Sequence, residues 1–425
     1  MKQENNQGRA IALLPIGVFL LIFLGSGFLT GDFYAMPAIV AFLIALLVAF
    51  CQNRELSFDE KVKVIAQGIA DENVVTMLLI FLAAGAFSGI VSAAGGVSST
   101  VNLFLTFLPS SVAVAGLFII GCFISVSMGT SMGTIAALAP IAIGISEKTD
   151  YGLPICIGAV VCGAMFGDNL SMISDTTIAA VKTQGCEMRD KFKNNFWIVL
   201  PAAVVTVIIF LFLTKDGSYR AAQEPYEILQ VVPYIVVLAG ALIGFNVFGV
   251  LIAGIVLSAV AGVYTGAFAV DEIFAHMGSG VTGMYDITVI SIIVACIVSL
   301  VRKYGGIAYI LNFIKSRIKG RRGAEFGIAF LTLLVDICTA NNTVAIVMAG
   351  PIAKEISDEY GVDPKKSASY LDIFASVGQG LIPYGAQLLS AATLTGLTPF
   401  DIMPYLYYPI IMAISALAYI AFRRH

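Results

Sequence analysis

Long apolar stretches separated by short polar segments run through the whole chain. The longest interval without Asp, Glu, Lys or Arg covers residues 73–146. A helix needs about 20 mostly apolar residues to cross a bilayer, and soluble domains do not leave so long an interval without charge. The pattern therefore predicts an all-α polytopic membrane protein.

The predicted segments follow these apolar stretches. The first, residues 10–31, follows Lys2 and Arg9 and is too long for the apolar region of a signal peptide, so we expect a spanning helix there. We expect crossings at 10–31, 34–52, 74–92, 152–181, 195–214, 229–245, 247–263, 284–301, 366–396 and 403–421, helical hairpins at 111–146 and 324–357, and interfacial stretches at 97–109 and 306–319.

Composition agrees with this class of protein and excludes several functions. Hydrophobic residues make up 59% of the chain and charged residues 12%, against about 25% charged in soluble domains. No basic tract suggests nucleic-acid binding, so no nucleic-acid partner is expected. The chain has 2 His and 7 Cys, without a CxxC pair, which disfavours a His- or Cys-based metal site and a His-dependent catalytic triad. We expect a protein that is not an enzyme and has no cofactor.

The chain contains an internal duplication. When the sequence is shifted by 211 residues, segment 129–185 aligns with 340–396 without a gap, and Pro140/Pro351 and Gly167/Gly378 coincide. We therefore predict two repeats: residues 1–220, with a hairpin at about 111–146 and a broken helix at about 152–181, and residues 221–425, with a hairpin at about 324–357 and a broken helix at about 366–396.

Basic residues indicate that the two repeats have opposite orientations. Residues 52–63 contain Lys and Arg, whereas their equivalents 264–275 contain none; residues 92–112 contain none, whereas 302–322 contain seven. Because Lys and Arg concentrate in cytoplasmic loops, equivalent loops lie on opposite sides of the membrane. We predict inverted-topology repeats in a cell membrane, with both termini cytoplasmic.

Four polar segments interrupt the apolar pattern at symmetric positions: the hairpin tips 129–134 and 339–343, and the helix breaks 167–177 and 378–387. Irregular backbone at membrane depth persists only where it lines a cavity or is buried in protein, and the carbonyls it frees can bind cations. Small polar residues can also serve only to bring helices close together. The symmetric placement of all four segments favours a functional site.

Asp168 and Asp175 lie within the first of these helix breaks. An unpaired carboxylate in an apolar environment is costly, so it requires a partner or a function. Asp168 is the leading candidate for direct Na⁺ binding, and Asp175 is expected either to share a proton with it or to organise the site. The equivalent of Asp168 is Gln379, so the charge is not duplicated. The predicted ion- or substrate-binding residues are Asp168, Asn169, Ser171, Ser174, Asp175, Thr176, Thr130, Ser131, Thr134, Asn341, Asn342, Thr343, Gln379, Tyr384 and Gln387, and the proton-coupling candidates are Asp168, Asp175, Asp336 and Asp372.

Few basic residues are expected near this site. Lys182 is expected to be the basic residue nearest to the site, and we place it at the inner membrane interface. No intramembrane Arg is available to bind a carboxylate substrate, which favours a cation.

A remote alternative is an intramembrane aspartyl protease, a class that uses a YD and a GxGD pair. Tyr285–Asp286 and Gly167–Asp168 resemble that pair, but Met165 stands where the first Gly is required. Inverted repeats have no place in that architecture.

Three segments resemble the NhaC sodium/proton antiporter family: Phe166–Thr177, Thr339–Ala353 and Gln379–Gln387. Met172 departs from that pattern, since the family often has Pro there. The resemblance implies the ion transporter superfamily, with paired hairpins and broken helices around a central site. Its members include cation/proton antiporters, malate/lactate exchangers and amino-acid carriers.

We therefore expect a secondary active transporter, foremost a Na⁺/H⁺ antiporter that works by alternating access. The alternative is a Na⁺- or H⁺-coupled carrier of a small organic acid or amino acid. The expected partners are Na⁺, H⁺ and the lipid bilayer, possible additional partners being a small organic substrate and a second copy of the chain.

Overall fold

The structure is a computed structural model that describes residues 8–30, 36–107, 109–171, 174–216, 225–243 and 245–422. Regular structure is helical, as predicted, and no β-strand occurs among these residues. The first half contains α1 (Leu14–Thr30), α2 (Ala38–Cys51), α3 (Phe58–Ile69), α4 (Glu72–Ala93), α5 (Gly96–Phe107), α6 (Ser110–Met128), α7 (Ser131–Lys148), α8 (Leu153–Leu170), α9 (Asp175–Gln184) and α10 (Met188–Leu213). The second half contains α11 (Ile228–Ile243), α12 (Val247–Thr265), α13 (Ile273–Thr282), α14 (Tyr285–Lys303), α15 (Gly306–Lys315), α16 (Gly320–Thr339), α17 (Asn342–Tyr360), α18 (Pro364–Leu381), α19 (Ala386–Thr395), α20 (Pro399–Ile402) and α21 (Tyr407–Phe422).

The duplication predicted from the sequence is also seen in where the helices begin. Leu153 and Pro364, which begin α8 and α18, lie 211 residues apart, and both helices have Pro in their first turn. Proline is suited to the start of a helix because the first backbone N–H groups have no acceptor within the helix. The broken helices α8–α9 and α18–α19 therefore start from equivalent local signals. The predicted boundary between residues 220 and 221 lies outside the described residues.

The two broken helices run in opposite directions. At the end of α9, Gln184 donates to the Gly350 carbonyl (2.9 Å) and accepts from the Ser367 hydroxyl (2.8 Å) at the start of α18. Near the start of α8, Gly158 packs against Tyr405, which follows α19 and α20. Each broken helix thus begins where the other ends, which confirms the inverted repeats.

The core lies around the broken helices, where α7, α8 and α18 are buried along most of their length. The outer helices instead expose large apolar side chains, including Leu47, Trp197, Phe212 and Ile243. A surface of this kind suits lipid rather than water. Four described helices are long and apolar enough to cross a bilayer, or up to six when the bent pairs α14–α15 and α20–α21 count as single spans. The larger number of crossings expected from the sequence stays a prediction.

The turns are tighter than predicted. α7 begins at Ser131, so the first hairpin turn consists only of Gly129 and Thr130, and Gly133 belongs to the helix. α8 continues to Leu170, so Gly167 and Asp168 lie in its last turns and the break follows them. Placing Asp168 in the broken centre itself was wrong, because the break does not start at the glycine.

Gly167 and Gly378 have a packing role instead. A Cβ at Gly167 would overlap the side chain and backbone of Ser125, and a Cβ at Gly378 would overlap the Asp336 carboxyl group. These glycines bring the first helix of each hairpin against its broken helix.

α10 begins at Met188, seven residues before the predicted start at 195. Lys191, Asn194 and Asn195 face the protein interior, so this polar turn belongs to the helix rather than to a loop.

Candidate ion-binding site

Both hairpin tips and both helix breaks meet around one small cavity, of about 100 Å³, which we call the inner cavity. Many of the predicted site residues line it. They are Thr130, Ser131, Asp168, Ser174, Thr176, Asn341, Asn342, Thr343, Gln379 and Gln387. The structure therefore brings together residues that lie more than 250 positions apart in the chain.

Asp168 is the buried carboxylate of this cavity. Its Oδ1 accepts from the Ser131 backbone N–H (3.1 Å), at the start of α7, and its Oδ2 accepts from Asn342 Nδ2 (3.4 Å), at the start of α17. Helix N-termini stabilise negative charge. A carboxylate has about four lone-pair positions, so these hydrogen bonds leave room for a cation.

Further oxygen atoms surround Asp168. The hydroxyl groups of Ser174 and Thr176 lie 3.2 Å apart, and both donate to the Asp168 carbonyl, at 3.2 and 3.3 Å. Across the cavity, Gln379 Nε2 donates to Gln387 Oε1 (2.6 Å), whereas the buried Gln379 Oε1 has no donor among the described residues. A set of carboxylate, hydroxyl and amide oxygens is suited to a small hard cation.

The hairpin tips end in capped helices. Thr130 Oγ1 accepts from the Gly133 N–H (3.4 Å), and Asn341 Oδ1 accepts from the Val344 N–H (3.0 Å). The residue before each cap has a left-handed backbone: φ is 70° at Gly129 and 48° at Ala340. These caps orient the N-termini of α7 and α17 toward the inner cavity.

Lys191 is a residue of the candidate site that was not predicted from the sequence. Its side chain is 1% exposed, and Nζ lies 2.7 Å from Asp372 Oδ2 in an ion pair. Nζ also donates to the Asn169 carbonyl (3.1 Å) and to Thr177 Oγ1 (2.7 Å), at the break between α8 and α9.

The prediction that Lys182 is the basic residue nearest the site was therefore wrong, since Lys182 is exposed. Lys191 lies four residues before Asn195, which places both on one face of α10. This pattern could have identified Lys191 had the helix been predicted to begin at Met188.

The ion pair joins the two repeats. Asn195 Nδ2 donates both to Asp372 Oδ2 (2.8 Å), on α18, and to the Asn169 carbonyl (2.9 Å), on α8. Asp372 therefore has a cationic partner and an amide donor. Asp336, by contrast, is buried without a hydrogen-bond donor among the described residues.

Other predicted residues have local partners. Thr134 Oγ1 donates to the Thr130 carbonyl, Asn169 Nδ2 to the Met165 carbonyl, and the Tyr384 hydroxyl to the Ile337 carbonyl. Ser171 is buried at the end of α8. The side chain of Asp175 lies outside the described residues.

A larger cavity of about 480 Å³, the outer cavity, adjoins the inner one. The two share Ala340, Asn341 and Ala386 in their linings. The outer cavity extends along α3 and α14 to Arg302 and Lys303, both exposed. One basic face of the protein is thus connected to the hairpin tip beside Asp168.

The protease alternative finds no support in this geometry. Asp286 is exposed in the first turn of α14, whereas Asp168 is buried in the core. An aspartyl protease needs two carboxylates close enough to share a proton.

Comparisons with known proteins agree with this picture. The family model described as Na⁺/H⁺ antiporter family matches residues 9–215 and 224–423. The chain is 24% identical to the malate-2H⁺/Na⁺-lactate antiporter of Bacillus subtilis (strain 168) over 93% of this chain and 90% of that protein. It is 23% identical to the Na⁺/H⁺ antiporter NhaC of Alkalihalophilus pseudofirmus over 95% and 94% of the two chains.

Among solved structures, the Alcanivorax borkumensis YdaH transporter is similar with a TM-score of 0.43 and 13% identity, over 83% of this chain and 89% of that one. The resemblance to the NhaC family seen in the motifs is confirmed by the match of the family model over nearly the whole chain and by the NhaC relative. The chain belongs to the Na⁺/H⁺ antiporter family.

Proposed function

We propose that this protein exchanges Na⁺ for H⁺ across the cell membrane, with Asp168 as the group that binds either ion. One observation carries the proposal. The buried Asp168 carboxylate lies where hairpin tips and helix breaks from both repeats meet, among oxygen atoms that suit a small cation.

The charges around Asp168 fit one monovalent cation. Asp168 and Asp372 are acidic, Lys191 is basic, and Lys191 is paired with Asp372. Among the side chains that the structure describes at this site, one negative charge, that of Asp168, is left to be neutralised. Because Na⁺ and H⁺ both neutralise it, and cannot both occupy the same carboxylate oxygens, binding of one displaces the other. This competition couples the two ions.

Access to Asp168 is from the basic face. The outer cavity reaches Arg302 and Lys303, and basic residues concentrate on the cytoplasmic side of membrane proteins. We therefore assign this conformation as open to the cytoplasm, with both termini on that side. In the core, Gln387 Nε2 donates to Ser131 Oγ (3.0 Å) and so joins α19 to the tip of the first hairpin. In the opposite conformation this contact opens and the tip of the second hairpin closes over Asp168.

The test is transport by purified protein in liposomes. An imposed pH gradient should drive uptake of radioactive Na⁺ with no organic solute present, and Asp168→Asn should abolish it. Asp286→Asn, the same substitution at an exposed carboxylate, is the matched control and should transport normally. Undiminished exchange by Asp168→Asn would refute the assignment of this site.

A second candidate is coupled transport of a small organic acid, and one observation favours it. The outer cavity of about 480 Å³, with Arg302 and Lys303 in its lining, is far larger than a sodium ion needs. The same liposomes distinguish the two candidates: malate, lactate and single amino acids are added in turn. If Na⁺ moves only when one of these is present, the second candidate replaces the first.

A further inference from the structure

Asp336 carries a carboxyl group that lies in the core without a charge partner among the residues that the structure describes. It lies on α16 with 0% exposure, and neither Oδ1 nor Oδ2 accepts a hydrogen bond from the described residues. No ion pair of Asp336 occurs in the described part of the chain. An isolated ionised carboxylate in such a place costs several kcal/mol, whereas the neutral acid does not carry this penalty.

The equivalent position in the first repeat shows what the site requires. It is Ser125, on α6, whose hydroxyl donates to the Ala164 carbonyl of α8 at 2.6 Å. Ser125 packs against Gly167 as Asp336 packs against Gly378. The carbonyl equivalent to that of Ala164 is the carbonyl of Ala375 on α18. The second repeat therefore presents an acceptor, which a carboxylic acid can use and a carboxylate cannot.

We propose that Asp336 is a second proton-binding site, separate from Asp168, which holds a proton while the outer cavity is open. Its O–H then donates to the Ala375 carbonyl and fastens the second hairpin to α18, as the hydroxyl of Ser125 fastens the first hairpin to α8. This inference rests on the proposed Na⁺/H⁺ exchange and adds a second proton to it.

Within the described part of the chain, the surroundings of Asp336 offer no positive charge, so a proton is left to neutralise its carboxylate. The titratable groups that act on it electrostatically are Cys338, on its own helix, and Tyr384, between α18 and α19. The packed helices α14, α15, α17, α18 and α21 bring no charged side chain to it among the described residues. Both titratable neighbours are uncharged when protonated and cannot compensate a negative charge.

The proton has a route to solvent through the hairpin tip. Asp336 lies about one helical turn before Thr339 and Ala340, which line the outer cavity. When the carboxylic acid of Asp336 releases H⁺ into the outer cavity, its hydrogen bond to α18 is lost, α16 separates from α18 and the tip closes over Asp168. The carboxylate then takes up H⁺ from the opposite side of the membrane before the hairpin returns, with no other bond formed or broken.

The bound proton can be observed directly by infrared difference spectroscopy of the full-length protein in lipid. The wild type should show the C=O band of a protonated carboxyl group at neutral pH. This band should be lost in Asp336→Ser and Asp336→Asn and retained in Asp286→Asn. Ser occupies the equivalent position of the first repeat, so Asp336→Ser should fold, and Asn keeps the side-chain shape. Carboxyl bands that are unchanged in both variants would overturn the proposal.

Use of the proton in transport is tested by the coupling ratio, measured as the Na⁺ gradient that just balances an imposed pH gradient. Asp336→Ser should lose one proton per Na⁺ relative to wild type, whereas Ser125→Ala, in the first repeat, should keep the wild-type ratio. An unchanged ratio in Asp336→Ser would overturn the coupled role. Absence of Na⁺/H⁺ exchange in the wild type would refute the proposed function instead, and the infrared band would still decide whether Asp336 holds a proton.

Discussion

Asp168 lies in the last turn of α8 in the first repeat, and Gln379 holds the same position on α18 in the second. The backbone around both is alike, with a capped hairpin tip, a glycine contact and a helix break. The charges, however, differ: where one repeat has a charged residue at these positions, the other has an uncharged one. The equivalent pairs are Asp168/Gln379, Ser125/Asp336, Lys191/Ile402 and Val161/Asp372.

This difference separates two requirements of a transporter. Alternating access needs two similar bundles that can exchange conformations, and inverted repeats supply them. Selective binding of one cation needs an asymmetric centre, and single substitutions on the shared backbone supply it. The charges thus distinguish the repeats, while the glycines and caps keep them alike.

The largest effect is expected from moving the central charge to the other repeat. Asp168→Gln should lower Na⁺ uptake by more than about 100-fold, because losing one partner of a buried charge pair costs about 3–5 kcal/mol. Adding Gln379→Asp should not restore uptake, since Lys191 and Asn195 bind the end of α8 and not that of α18. Uptake of radioactive Na⁺ into liposomes measures both effects. Recovery of uptake in the double variant would show that the two helix breaks are interchangeable.

The next effect concerns the Lys191–Asp372 ion pair, whose equivalent positions in the opposite repeats hold Ile402 and Val161. Lys191→Met should destabilise the protein by about 3–5 kcal/mol, because Asp372 is left buried without its partner. The double variant Lys191→Ile with Asp372→Val installs the residues of the equivalent positions and should recover most of that stability. The free energy of unfolding in detergent is measured for both variants. If Lys191→Met is as stable as wild type, the pair does not join α10 to α18.

A smaller effect is expected at the contacts that both repeats share. Gly167→Ala should destabilise by about 1–3 kcal/mol, because the added methyl group overlaps the side chain and backbone of Ser125. Gly17→Ala, on α1, has open space around the new methyl group and serves as the control. Thermal unfolding should separate the two variants; equal stability would show that α6 can move away from α8 without cost.

The smallest effect is expected on stability, from substitutions at the two hairpin tips. Ala340 has φ of 48°, in the left-handed region where glycine is preferred, so Ala340→Gly should stabilise the protein by up to about 1 kcal/mol. Gly129→Ala, at the equivalent tip, should destabilise by about 1 kcal/mol. Melting temperatures compare the two, and a shift of the same sign in both would show that the tips are not equivalent.

Much of the architecture could be predicted because it depends on local or periodic features. Apolar stretches, the 211-residue shift and the distribution of Lys and Arg are all readable along the chain. Asp168 was predicted for the same reason, since a carboxylate among apolar residues is conspicuous in the sequence.

Lys191 shows what could not be predicted. In the sequence it stands with Arg189 and Lys193, two other basic residues, and resembles part of a cytoplasmic loop. In the structure, the partner that neutralises it lies 181 residues away on α18, at Asp372. No pattern along the chain reports such a distance.

The sequence by itself determined an all-helical membrane protein, its inverted repeats and the acid at its centre, because hydrophobicity, repeat register and charge placement act through the local chain. Only the tertiary structure decided that Lys191 is buried, that Gly167 serves packing and that the Asp336 carboxyl group has no partner among the described residues. Those properties depend on which atoms of distant helices come within contact distance, and packing of the two repeats against each other sets that distance.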